Sequence, residues 1–197
     1  MNASVCMDTS RYLIPTPAGV LACLGQPPGS EQRRLFERIL LNGRPQPIDM
    51  PGWGTELGHP VAAIARILFG LNRSQSVSVL EEAPPSNLAW AHTGLNGLIN
   101  DLVALATPGQ KLLVASADGF SIARVGWSSY EADVMATRQP RDYTPSQGEI
   151  WPLYLGSRCF YLSANARIDQ KNPALLNLGY RLLRGCGPFA GEERVPC

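Results

Sequence analysis

Read from the N-terminus, the chain alternates apolar runs at helical spacing with clusters of proline and glycine. Thr16-Pro17 marks a helix start, since proline at the first helical position gives up an N–H that would have no partner there. Pro27-Pro28-Gly29 interrupts the chain. Ser30 follows as a side-chain cap for a second helix, in which Leu35, Phe36, Ile39 and Leu40 share one face and Gly43 supplies the stop. Pro45 to Gly58 reads as a turn-rich connection around Trp53. Pro60 then opens a third helix with Val61, Ile64, Ala65, Leu68 and Leu71 at helical spacing, apolar enough to predict burial. Ser76-Val77-Ser78-Val79 alternates as a half-exposed strand does.

Ala83-Pro84-Pro85-Ser86-Asn87 is the predicted boundary, because paired prolines break both helix and ladder. It divides the chain into a helical module over 1–83 and a second domain over 88–197. In the latter, Leu95, Leu98, Ile99, Leu102 and Val103 fall at i, i+3, i+4, i+7 and i+8, an amphipathic helix ended by Pro108-Gly109. Two apolar runs, Lys111 to Ala117 and Phe120 to Trp127, are joined by Asp118-Gly119. That pair predicts a hairpin with a two-residue type I′ turn. Ser128 and Glu131 stand at capping-box spacing before a short helix carrying Ala132, Val134, Met135 and Ala136. After a loop over Gln139 to Gly148, Glu149–Leu155 and Arg158–Ala164 form a second antiparallel pair turning at Gly156-Ser157. Asn172 and Pro173 open a last helix packed by Leu175, Leu176, Leu178, Leu182 and Leu183 and ended by Gly185. The fold class is therefore α+β.

Two resemblances follow. Three short helices and then a strand over residues 1–83 resemble a winged-helix arrangement by order alone. The helix, hairpin, helix, hairpin, helix order of the second half resembles the roadblock/LC7 domain, a relative of longin and profilin-like folds. The local likeness lies in Leu112-Leu-Val-Ala-Ser-Ala-Asp-Gly-Phe-Ser-Ile-Ala123, followed by the helix Glu131-Ala-Asp-Val-Met-Ala136. It covers roughly the last half of the chain. The chain departs from the pattern in a second helix cut short by Pro140, and in showing two strands after it where three are usual. The resemblance implies a five-stranded antiparallel sheet flanked by helices, and a dimer that binds or regulates a small Ras-like GTPase or scaffolds a larger complex.

Composition narrows the function. Apolar residues reach 45%, charged residues 17%, and the net charge is +1. A core is affordable, and no concentrated positive field exists to grip a phosphate backbone. Lys111 and Lys171 are the only lysines, the other basic residues being arginines; this reads as codon bias, although arginine forks also suit interfaces. Met1 to Leu13 lacks a basic stretch followed by an apolar run. The longest apolar segment, Val61 to Leu71, is interrupted by Arg66 and too short to span a bilayer. The expectation is a cytoplasmic protein without membrane insertion. Cys6, Cys23, Cys159, Cys186 and Cys197 are odd in number and never spaced as CxxC, so they read as reduced thiols.

Candidate chemistry is sparse. His59 precedes Pro60 at a helix start and His92 leads into the helix at Leu95. Neither has a Cys, Asp or Glu at metal-ligand spacing. Cys159 sits in a strand, where a small buried hydrophobe is the default, and a cysteine-dependent enzyme is the third reading. Asp118 belongs to its turn. Gly52-Trp53-Gly54 lacks the lysine of a phosphate loop, and no nucleotide or hydrolase motif occurs. Arg33, Arg34, Arg38, Arg44, Arg66 and Arg73 could line one face of the first module. Yet the helix in the recognition position offers only Arg66 to a base edge. Trp127, Tyr130, Met135, Trp151 and Tyr154 are the predicted partner-binding residues, lying near hairpin ends and the short helix. The expectation is a non-enzymatic regulatory or scaffold protein without cofactor or metal. It would form a homodimer and bind a protein partner, not nucleic acid. The alternative is a DNA-binding transcriptional regulator whose C-terminal domain dimerises or senses a ligand.

Overall fold

The computed structural model describes residues 11–85, 89–90, 97–138 and 148–186. It opens on a strand where the sequence predicts part of a helical region: β1 (Tyr12–Pro15) lies between β2 (Gln46–Pro47) and β3 (Val77–Leu80) in a small antiparallel sheet. Four residues carry little periodic signal. Their pairing, Tyr12 with Leu80 through Pro15 with Val77, is formed with residues distant in sequence. The strand predicted at Ser76 to Val79 is β3.

Four helices pack beside this sheet. In α1 (Pro17–Leu24) the Thr16 hydroxyl accepts from the Gly19 N–H at 3.0 Å, and in α2 (Glu31–Leu41) the Ser30 hydroxyl caps the Arg33 N–H at 3.2 Å. Leu35, Phe36, Ile39 and Leu40 are all fully buried, as their spacing predicts. The expected turn-rich connection is instead largely helical. α3 (Met50–Leu57) starts where the Asp49 carboxylate accepts from the Gly52 N–H at 2.9 Å, and it buries Trp53. Two glycines in eight residues hide this helix from propensity. Gly54 is needed for contact, since a Cβ there would lie 2.7 Å from the His59 carbonyl oxygen. α4 (Val61–Arg73) begins at Pro60 as predicted, but the expectation that it is built for burial fails. Only Ile64 and Leu71 are buried, while Val61 and Phe69 are 47% and 69% exposed.

In the second half the elements follow the predicted order: α5 (Leu98–Leu105), β4 (Leu112–Ser116), β5 (Ser121–Val125), α6 (Ser129–Ala136), β6 (Glu149–Leu155), β7 (Arg158–Ala164) and α7 (Ala174–Cys186). The strands form an antiparallel sheet in the order β5-β4-β7-β6. Leu95 and His92 lie outside the described residues, as does the predicted loop except for Gly148. Within α5 the buried face is Leu98, Asp101, Leu102 and Leu105. Ile99 and Val103, predicted as packing residues, are 54% and 57% exposed. The β4–β5 turn also differs from type I′. The Ser116 carbonyl accepts from the Gly119 N–H at 3.0 Å and the Ser116 N–H donates to Phe120 at 2.9 Å, which makes a three-residue loop. Only Gly119, at φ 87°, takes the left-handed conformation there, as in a type I turn followed by a glycine bulge.

One face of the larger sheet presents Leu112, Val114, Phe160, Leu162, Ala164, Leu153 and Leu155 to the main core. That core also contains Leu21, Leu24, Phe36 and Leu40 from α1 and α2, which pack on α7 and β6. Apolar burial is thus continuous between the two halves. The fully buried Arg33 reinforces the junction, donating to the carbonyls of Gln26 and Tyr154 and to Glu37 at 2.8 Å. The opposite sheet face carries a smaller cluster, Leu113, Ala115, Ala132 and Ala136, beneath α6.

Candidate functional site

The corner formed by β5, the β4–β5 turn and α6 holds three of the five predicted partner-binding residues. α6 is seated by the predicted capping box: Ser128 Oγ accepts from the Glu131 N–H at 3.2 Å, and Glu131 Oε2 accepts from the Ser128 N–H at 2.9 Å. Small residues, Ala132 and Ala136, let the helix lie close on Leu113 and Ala115. Its outer face therefore projects Tyr130 and Val134, one turn apart, at 79% and 39% exposure. Beside them, Phe120 is 68% exposed and Ile122 43% exposed. Gly119 keeps the hairpin tip against the end of α6, where an added Cβ would meet Thr137 at 3.5 Å.

Trp127 and Met135 belong to the same corner but are half-buried and pack on the small cluster. Lys111 Nζ lies 4.8 Å from the Trp127 ring centroid and 3.2 Å from Glu131 Oε1, joining aromatic face and cap. The other two predicted residues lie elsewhere. Trp151 packs against the main core on the opposite face of the sheet and donates to Glu149 Oε2 at 3.3 Å. Tyr154 is half-buried on β6, opposite Cys159 of β7. Phe120, Ile122 and Val134 were missed as surface residues; an apolar residue directly after a tight turn is the signal that could have found Phe120.

Among the described residues, the groups with possible chemistry are dispersed. His59 Nε2 is 2.6 Å from Glu31 Oε2 in the first half, and the hydrogen bond from His59 is the main cause holding the Glu31 carboxyl below its usual range. Burial pushes the Cys159 thiol up, away from the thiolate form that a nucleophile needs. Tyr161 is raised by desolvation first and by neighbouring Cys159 second. Asp118 is exposed in its turn. Among the described residues no group of three or more His, Cys, Asp or Glu is placed to hold a metal ion, and no helix is long and apolar enough to cross a membrane. No protein-family model, curated protein or solved structure matches this chain.

The cap sets a pH dependence. The Ser128 backbone N–H first, then the Ser128 hydroxyl and Lys111, hold the Glu131 carboxyl down to about 2, against an ordinary value of 4.5. A carboxyl lowered on folding adds stability that is present above its ordinary value and is lost as pH falls through the folded one. Thermal unfolding of the wild type should therefore lose stability between pH 4.5 and about 2 relative to Glu131→Gln, the two converging below that window. Parallel curves across the window would show that the cap carries no charge-dependent stability.

Proposed function

We propose that this α+β protein is a non-catalytic regulatory or scaffold protein that forms a homodimer and binds a protein partner through the β5–α6 corner. The observation that carries the reading is the set of four apolar side chains, Phe120, Ile122, Tyr130 and Val134, held exposed on a rigid hairpin and a short helix. Aromatic residues on fixed elements serve as interface anchors because they desolvate a large area at little conformational cost. The edge position of β5 adds to this. It carries no proline, whereas the other edge strand, β6, contains Pro152, which removes a ladder donor. Covering an open edge by a second copy is a common solution in small antiparallel sheets.

The element order α5, β4–β5, α6, β6–β7, α7 supports a roadblock/LC7-like reading of the second half, with four strands among the described residues. On that reading the partner is a small Ras-like GTPase or a subunit of a larger complex, met in the cytoplasm. The first half is then an appended winged-helix-like module.

Sedimentation velocity at micromolar concentration tests the dimer. Wild type should sediment at twice the chain mass, while Tyr130→Glu combined with Ile122→Lys should shift to the monomer with an unchanged thermal midpoint. A monomeric wild type, or a dimer indifferent to both substitutions, would sink the reading. A salt titration of binding to duplex DNA tests the alternative regulator, for which a steep loss of affinity with salt is expected.

A further inference from the structure

We propose that the exposed face of α4 is a docking surface for an acidic amphipathic helix of a protein partner, separate from the β5–α6 corner. At about 3.6 residues per turn, Val61, Ala62, Ala65, Phe69 and Asn72 fall on one arc of this helix, opposite the buried Ile64 and Leu71. All five are exposed, Phe69 at 69% and Val61 at 47%. A phenylalanine beside two alanines makes a ridge next to a shallow trough, into which the side chains of another helix fit. The helix is rigidly presented, because α2, α3 and β3 pack against its inner side.

Charge selects the occupant. Arg66 and Arg73 flank the apolar arc along one side, two turns apart, and α4 has no acidic residue. Neither arginine makes a salt bridge with another described residue. A second copy of α4 packed antiparallel across a two-fold axis would bring these arginines together along one seam, where like charges repel. Duplex DNA is disfavoured by the arc itself, since Val61, Ala65 and Phe69 offer no hydrogen bond to a base edge and two arginines neutralise few phosphates. A helix with an apolar ridge at i, i+3 or i+4, and i+7, and with Asp or Glu along one border, satisfies both features. The carboxylates would meet guanidinium forks that no acid among the described residues already holds.

The test uses the full chain, immobilised, and a phage-displayed library of random helical peptides. Enriched peptides are resynthesised with a fluorophore and titrated by anisotropy against wild type, Phe69→Ser, Arg66→Glu and Tyr130→Glu. The expected consensus pairs apolar residues three or four apart with flanking Asp or Glu. Affinity should weaken by about tenfold or more in Phe69→Ser and in Arg66→Glu and stay unchanged in Tyr130→Glu. The Tyr130 control keeps this outcome independent of the β5–α6 corner. Absence of any enrichment, a basic consensus, or acidic peptides whose affinity ignores both α4 substitutions would overturn the proposal. So would mixed-sequence duplex DNA that binds wild type and is lost in Arg66→Glu while peptide binding is not. Both substituted positions are exposed, so equal thermal midpoints confirm that folding is not what changes.

Discussion

Asp101→Ala should destabilise the protein by about 3 kcal/mol or more, read as a lower urea midpoint at unchanged slope. Asp101 and Arg181 are only 5% exposed each, and Arg181 Nε donates to Asp101 Oδ2 at 2.6 Å. The pair fastens α5, whose Leu98, Leu102 and Leu105 are also buried, to α7. The backbone is fitted to it: at Gly97 an added Cβ would lie 2.5 Å from the Arg181 guanidinium carbon. Removing the carboxylate takes away the charged acceptor 2.6 Å from the buried guanidinium and leaves that hydrogen bond unmade in a poorly solvating interior, which costs more than the pair itself was worth. The double variant Asp101→Ala with Arg181→Leu should therefore recover part of the loss. If the single and double variants are equally unstable, packing and not charge holds the helices together.

The parts of this fold that are legible in the sequence are those whose signals are local. Ser30, Thr16 and the Ser128–Glu131 box each satisfy orphan N–H groups within three residues of themselves, so type and spacing are enough to find them. Gly156-Ser157 likewise fixes the β6–β7 register over seven residues on each strand. Legibility fails where the decision is tertiary. Tyr12–Pro15 becomes a strand because β3 pairs with it, and Met50–Leu57 becomes helical despite two glycines because Trp53 is buried there. Amphipathic spacing can also misjudge which face is inward. In α5 the apolar residues at 98, 99, 102 and 103 span a wider arc than the core can cover, and Asp101, bound to Arg181, takes an inward position that a hydrophobicity pattern assigns to solvent.

The candidate site was legible in the same partial way. Aromatic type near hairpin ends picks out Tyr130, the most exposed residue of the corner, but type alone does not say which side of a strand faces out. Trp151 and Tyr154, three residues apart on β6, point to opposite faces of the sheet, and Trp151 joins the main core. Phe120 and Ile122 belong to this corner because of the three-residue turn and the edge position of β5, which are features of the tertiary pairing.

Arg33→Ala should cost a comparable amount, about 3 kcal/mol or more, and its effect should reach both halves of the chain. Arg33 is 1% exposed, yet it carries a full charge, which is tolerated because each of three partners takes part of the fork. Glu37 supplies the counter-charge from the next turn of α2, the Gln26 carbonyl belongs to the connection before the helix, and the Tyr154 carbonyl belongs to β6. Truncation to alanine strands two backbone carbonyls and a carboxylate, and opens a void where α2 meets β6. Arg33→Lys should restore little, since one ammonium cannot reproduce the planar fork. Amide hydrogen exchange gives the decisive readout, with protection expected to fall in α2 and also in β6 around Tyr154. Faster exchange confined to α2 would mean that the guanidinium serves its own helix and that apolar contact alone joins the two halves.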